Sequence, residues 1–361
     1  MGKKLIATDL HFSTKSSIMT KMRDLYSERE INCINSLNWA EELAETHNCD
    51  EIIYAGDMFD KTDLTARELT ALQEVTWSNI KHSFLVGNHE GLTKDLDISS
   101  AHIFKMIPNS KVISKPEIDV GFGYYLMYLP YIIENDRKTI KEYFKQLMSG
   151  YYVTQEVKKI YVVSHNDIKM QYGMFESTQG FDINDIENSC DLFLNGHLHN
   201  GSKFCKNGYN VGNLTGQNFS EDAFKYKHQA CILDTDTGIL EWFENPFAFN
   251  FYKFEVSSME ELNHILAVKI KSNAIITVKA PENITLEAKA LIESYPNIKA
   301  SRVTSVPIKN GSGSENSVDE IQLETMNHLD AFIHYIKENL EVTNVVMSEL
   351  SEVCASENQV S

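Results

Sequence analysis

Apolar and polar positions along the chain alternate between two rhythms. A strand predicted over 3–8, around the apolar Leu5 to Ala7, ends in Asp9-Leu10-His11, and the spacing of Ile34, Leu37, Ala40, Leu43 and Ala44 predicts a helix over 31–46. A strand predicted over 51–55 ends in Gly-Asp-Met-Phe-Asp (56–60). A helix over 64–80 and a strand over 82–86 follow, the latter ending in Gly-Asn-His-Glu (87–90). The rhythm continues with a strand over 124–129, a helix over 137–148, a strand over 160–164 ending at His165, and a strand over 190–195 ending in Gly-His-Leu-His (196–199). Shorter strands are predicted over 209–212, 227–234 and 238–243, with Asp236-Thr237-Gly238 as a hairpin turn. Strands alternating with helices predict a layered α/β core with parallel pairing. Each polar motif sits just past the C-terminal end of a strand, where open α/β sheets collect ligands.

A second, smaller pattern occupies 251–307: strand 251–256, helix 259–268, strand 274–279, helix 286–294, strand 299–306. The Gly-Ser-Gly-Ser-Glu-Asn-Ser run at 311–317 has linker composition. Beyond it, Ile321, Leu323, Met326, Leu329, Phe332, Ile333, Ile336 and Leu340 recur at helical spacing, and Val342 to Val353 continue the pattern, predicting two amphipathic helices. The expected organisation is a main domain over 1–248, a small α/β domain over 249–310, a linker over 311–317 and an acidic helical tail over 318–361.

Charge first argues against nucleic acid, then stops doing so. The 361 residues carry 33 Lys+Arg against 51 Asp+Glu, a net of −18, whereas phosphate binding normally runs through Lys and Arg. The tail from Gly311 holds one base and ten acids, while 251–310 holds eight bases and six acids, so the acid is concentrated at one end and the segment before it is mildly basic. The six cysteines (33, 49, 190, 205, 231 and 354) show no short paired spacing, which leaves no reason to expect a thiolate metal cluster. No run of about 18 apolar residues is present and the first residues lack a signal-peptide core, so the expectation is a cytoplasmic protein with no membrane partner.

Each strand-end motif has an ordinary explanation: a turn, an exposed histidine, or, for Asp57 and Asp60, a helix cap. Together they do not. Asp9, His11, Asp57, Asn88, His165, His197 and His199 all follow predicted strands of one sheet, so folding gathers seven oxygen and imidazole donors on one rim. Such a cluster is costly to bury without a cation. Two divalent cations resolve the cost, and carboxylate, amide and imidazole donors without thiolate suit manganese, iron or zinc better than calcium.

These motifs, in this order, resemble the full motif series of the calcineurin-like metallophosphoesterases over roughly residues 1–244. The smaller domain, the tail, Gly-Asp-Met-Phe-Asp and the segment 211–224 resemble the SbcD and meiotic-recombination (Mre) nuclease branch, especially its phage-encoded members. The resemblance implies a four-layer α/β metallophosphoesterase sandwich, two mixed β-sheets flanked by helices, with a small α/β cap domain and a C-terminal helical tail. It implies one metal on Asp9, His11, Asp57 and His199 and a second on Asp57, Asn88, His165 and His197, most simply manganese. It also implies a metal-bridging hydroxide as nucleophile and His89 as the residue that contacts the scissile phosphate and protonates the leaving oxygen. Two positions depart from the pattern. Asp60 stands where nuclease relatives often have histidine, leaving open whether it orients His89 or a water, or caps a helix. Glu90 stands where Asp is usual, and a structural or orienting role is expected.

The reaction leaves the substrate open. Lys61, Arg67 and Lys94, close to metal motifs, and Lys269, Lys271 and Lys279, in the capping segment, are candidates for holding a DNA backbone; Tyr172 and Phe175 are candidates for stacking on an unpaired base. The expected function is a manganese-dependent DNA exonuclease and endonuclease of recombination, repair or replication. The branch implies a homodimer within a heterotetramer, the tail docking on an SbcC-type ABC ATPase in the (host) cytoplasm. The alternatives are a phosphomonoesterase or cyclic-nucleotide phosphodiesterase on the same scaffold, or a non-catalytic binding module.

Overall fold

The computed structural model describes residues 2–14, 22–149, 159–172 and 175–307. In chain order the principal elements are β1 (Lys3–Ala7), α1 (Glu28–Thr46), β2 (Glu51–Ala55), α2 (Ala66–Leu72), β3 (Lys81–Leu85), β4 (Ser110–Ile113), β5 (Glu117–Val120), β6 (Tyr124–Leu129), α3 (Ile140–Met148), β7 (Lys159–Ser164), α4 (Ile183–Ser189) and β8 (Leu192–Asn195). They are followed by β9 (Ser202–Lys203), β10 (Gly208–Asn210), β11 (Gln229–Asp234), β12 (Leu240–Glu244), β13 (Asn250–Glu255), α5 (Met259–Val268), β14 (Ala274–Pro281), α6 (Thr285–Ser294) and β15 (Ile298–Val306).

Two six-stranded mixed sheets form the main body. The first has the order β12-β11-β1-β2-β3-β4, the second β9-β10-β8-β7-β6-β5. In the first, β1 to β4 are parallel and β11 joins β1 antiparallel. In the second, β6, β7, β8 and β10 are parallel and the two edges antiparallel. Side-chain alternation along each strand explains the layering. On β1 and β2, Leu5, Ala7, Ile52 and Tyr54 point outward and pack against Cys33, Leu37 and Ala40 of α1. Their neighbours Ile6, Ile53 and Ala55 point inward and meet Leu126, Tyr128, Val163 and Leu194 of the second sheet. The outer face of that sheet, through Tyr125, Met127, Val162 and Phe193, is covered by Ile140, Tyr143 and Ile186 of α3 and α4. Helix, sheet, sheet, helix is the four-layer sandwich expected of this sequence.

The seven donors do not line one sheet, contrary to the expectation from sequence. Asp9, His11, Asp57 and Asn88 follow β1, β2 and β3 of the first sheet, whereas His165, His197 and His199 follow β7 and β8 of the second. Face-to-face stacking brings the C-terminal ends of both parallel sets to one edge of the sandwich.

Helix α2 stops at Leu72, eight residues short of the predicted end. The backbone N–H of Thr76 donates instead to Asn38 Oδ1 (2.8 Å), and the N–H and hydroxyl of Ser78 donate to Glu41 Oε2 (3.1 and 2.7 Å), so side chains of α1 take donors a helix would have used. Residues 250–306 build a three-stranded parallel sheet, β13-β14-β15, with α5 and α6 and an apolar core of its own around Tyr252, Leu262, Ile276 and Ile292. The predicted linker and tail lie outside the described residues. No helix among the described residues is long and apolar enough to cross a membrane.

Candidate metal centre

The backbone that carries the donors is held in an uncommon conformation. Asp9, His11, Asp57 and His197 have φ of 51°, 49°, 49° and 72°, in the left-handed region that costs a non-glycine residue on the order of 1–3 kcal/mol. Surrounding hydrogen bonds fix them there. Asp9 N–H donates to Gly56 O (3.1 Å) and His11 N–H to Asp57 O (2.9 Å), so the loops beyond β1 and β2 stay zipped. The buried Arg29 of α1 donates to Leu10 O (2.9 Å), His11 O (3.2 Å) and Gly216 O (2.9 Å), clamping the His11 loop to the 215–216 turn. A Cβ at Gly87 would lie 2.0 Å from Asp57 Oδ1, so the close approach of the third strand's loop to that carboxylate requires glycine.

Three of the four histidines present lone pairs inward because their outer nitrogens are engaged. His165 Nδ1 is 2.7 Å from Ala55 O, which can only accept, so Nδ1 carries the proton and Nε2 faces Asp57 Oδ2 at 3.1 Å. His199 Nδ1 donates to the buried Glu221 (2.8 Å), and His197 Nε2 to Asp167 (3.0 Å). His11 Nδ1 lies 3.3 Å from Asp60 Oδ1, off the line of a well-formed hydrogen bond. The inner nitrogens then converge. His11 Nε2 and His199 Nε2 are 3.0 Å apart, with Asp9 Oδ1 3.8 Å from each. Asn88 Oδ1 is 3.2 Å from His165 Nε2 and 3.0 Å from His197 Nδ1. Lone pairs facing lone pairs and carboxylates repel unless a proton or a cation lies among them. Two divalent cations fit this donor set: Asp9, His11 and His199 around one, Asp57, His165 and His197 around the other, with Asn88 facing the second group.

The electrostatics agree. Burial alone would raise the Asp57 carboxyl, but the charge and hydrogen bond of His165, then His11, hold it well below the usual range; Asp9 is lowered by His11, His165 and His199 against the same burial. Burial lowers His11, yet the contacts to Asp60 and Asp9 outweigh it and bring it up to about 10. His165 rises to about 9 because the charge of Asp57 outweighs burial. Without metal, both imidazoles therefore hold protons at neutral pH that a cation must expel. Binding should tighten by about tenfold per pH unit for each displaced proton and level off above pH 9–10. Manganese titrations at pH 6, 7 and 8 check this; an affinity independent of pH would contradict it.

His89 lies at the open edge, its side chain 43% exposed and its N–H donating to Asp57 Oδ1 (3.1 Å). Its ring meets that of His11 edge-on, centroids 5.0 Å apart, and its Nδ1 is 3.7 Å from Asp60 Oδ1. It also has a nitrogen within 4.8 Å of donors on His11 and Asp57. Asp60 thus stands between His11 and His89, and the cap of α2 is Thr65, whose hydroxyl accepts from Glu68 N–H. Glu90 is fully buried and accepts from Phe59 N–H (3.1 Å) and Gly87 N–H (2.8 Å), tying two metal loops together. Burial, then the charge of Asp57, pushes it up to about 7.

Of the candidate DNA contacts, Arg67 forms a two-pronged pair with buried Glu30 (3.0 and 2.6 Å), joining α2 to α1, and Lys61 pairs with buried Glu68 (2.8 Å), joining the loop after β2 to α2. Lys94, Lys269 and Lys279 are exposed, and Lys271 pairs with Glu244. Tyr172 and Phe175 lie in a two-stranded ribbon whose side chains are not described.

Glu221 and Asp167 were missed from sequence, because a single acid in a polar loop has no distinguishing spacing. Orienting partners of this kind typically contribute 10–100-fold to metal affinity. Glu221→Ala should weaken the His199 group's cation by about that factor, read by calorimetric manganese titration, with the circular dichroism of the fold unchanged. Wild-type affinity would contradict the role.

Fold and centre together give an α/β sandwich with two candidate metal clusters where the C-terminal ends of both parallel strand sets meet. Residues 3–201, more than half the chain, match the family model described as calcineurin-like phosphoesterase, and the protein belongs to that family. No curated protein matches the sequence. Among solved structures, TT1561 of Thermus thermophilus is similar at 11% identity and a TM-score of 0.39, over 67% of this chain and 98% of its own.

Proposed function

We propose that the protein is a manganese-dependent DNA nuclease that works with an SbcC-type ATPase in recombination, repair or replication. Metal-dependent phosphoester hydrolysis follows from the family; the DNA substrate is the further step. The observation that supports it is a physical link between the metal centre and the lysine-bearing module over 250–306. Glu221, which holds His199, is followed by Asp222, bridged to Phe251 of β13, and by Ala223, whose N–H donates to Phe251 O (2.9 Å). One short segment thus touches both the metal centre and that module.

When bound, the cations supply Lewis-acid polarisation of the phosphoryl group and an activated water. The chain's own part is to orient and to move protons. Glu221, Asp167 and Ala55 O fix three histidines in the ligating tautomer, and exposed His89 donates to the leaving oxygen, with Asp60 beside it. The acidic tail over 318–361 is assigned to the ATPase, with the nuclease as a homodimer in a heterotetramer.

The test incubates the full chain with end-labelled linear duplex and single-stranded DNA in manganese, with and without the ATPase. Shortened or nicked DNA supports the reading. Intact DNA in both arms, alongside brisk hydrolysis of a small phosphodiester, would replace it with a small-molecule phosphoesterase.

A further inference from the structure

Away from the metal donors, a groove of about 640 Å³ opens between residues 223–227 and the end of α5. Its lining combines the rings of Phe224 and Phe254 with Lys225, Lys227, Lys269 and Lys271. Phe224 is 41% exposed although its ring packs against Tyr252, centroids 4.9 Å apart. Part of a large aromatic ring is thus left open beside four ammonium groups. Two carboxylates oppose those charges. Asp222 lies 3.4 Å from Lys225, while Glu244 contacts Lys271 and lies 3.7 Å from Lys227. Lys269 has no ion pair with another described residue, so the groove keeps an excess of positive charge.

An apolar aromatic surface edged by cations suits a ligand with a flat ring and an attached phosphate. The lysines come from two sides, the 225–227 segment and the 269–271 stretch at the end of α5. We propose that this groove binds an unpaired segment of a DNA strand, a base against Phe224 and its flanking phosphates on the lysines. The identity of the strand rests on the nuclease reading; the binding itself needs no metal. The segment that forms one wall continues directly from Glu221, so a strand held here lies on the chain that supports His199.

The test measures anisotropy of a fluorescent oligothymidylate of about 12 nucleotides with the full chain in EDTA, where cleavage cannot occur, against a duplex of equal length. The single strand should bind more tightly. Phe224→Ala should weaken it by about tenfold, as loss of one stacked base does. Lys269→Gln with Lys271→Gln should make the log–log salt dependence shallower by about 1.4, at 0.7 per lost phosphate contact. Lys269 is exposed, so its substitution reports even if Phe224→Ala disturbs packing. Lys289→Gln, outside the groove and paired with Glu293, should bind as wild type does. Groove variants with wild-type affinity and salt slope would overturn the proposal. A wild type that binds through the groove yet cleaves no DNA would sustain it while removing the nuclease reading; one that cleaves DNA while all groove variants bind normally would do the reverse.

Discussion

Asp57→Asn should leave a folded protein that no longer holds two cations, with phosphodiester hydrolysis reduced by more than about a thousandfold. Asp57 is the carboxylate that faces both groups of donors: its Oδ2 is 3.1 Å from His165 Nε2 and 3.8 Å from His11 Nε2. Asparagine keeps the shape and an acceptor for His89 N–H, so the loss isolates the charge. In the wild type that charge offsets the burial of His165 and adds to the burial that raises Glu90. Metal content by mass spectrometry and turnover of a small phosphodiester read the two effects together. A variant with both cations and near-normal turnover would remove Asp57 from the centre.

His89→Ala should separate binding from chemistry. The ring sits at the exposed edge, so its removal should leave both cations bound and lower kcat by about 10² to 10⁴ on DNA, whose leaving alkoxide needs a proton. On an activated aryl phosphodiester, whose leaving group departs without protonation, the loss should be far smaller. Equal losses on both substrates would contradict the proton-donor role, and loss of one metal equivalent would reassign His89 as a ligand. The second outcome has a basis in the structure, since His89 shares a possible cluster with His11 and Asp57.

The ligands were legible in the sequence because each ends a buried strand, and an apolar run followed by Asp, Asn or His leaves a clear mark. The two-sheet origin of the rim was not. Strands β1 and β7 read alike along the chain, and only the pairing of β1 with β11 and of β7 with β6 and β8 assigns them to different sheets. The edge strands β4 and β5 escaped because charges on them, Lys111 and Asp119 among them, break the apolar pattern while pairing with each other at 3.2 Å. The residues that orient the ligands were invisible for a different reason. Glu221, Asp167 and Arg29 act through contacts of 22, 30 and up to 187 positions' separation, and no local spacing records such contacts. The same blindness made Lys61 and Arg67 look available to DNA, when each is engaged by a buried glutamate.

The most direct measurement is a manganese titration of the metal-stripped full chain, following bound metal and phosphodiester turnover in the same samples. A paired centre predicts saturation at two ions per chain, with turnover rising as the second ion binds and vanishing on chelation. Saturation at one ion or none, or turnover that persists in chelator, would contradict it.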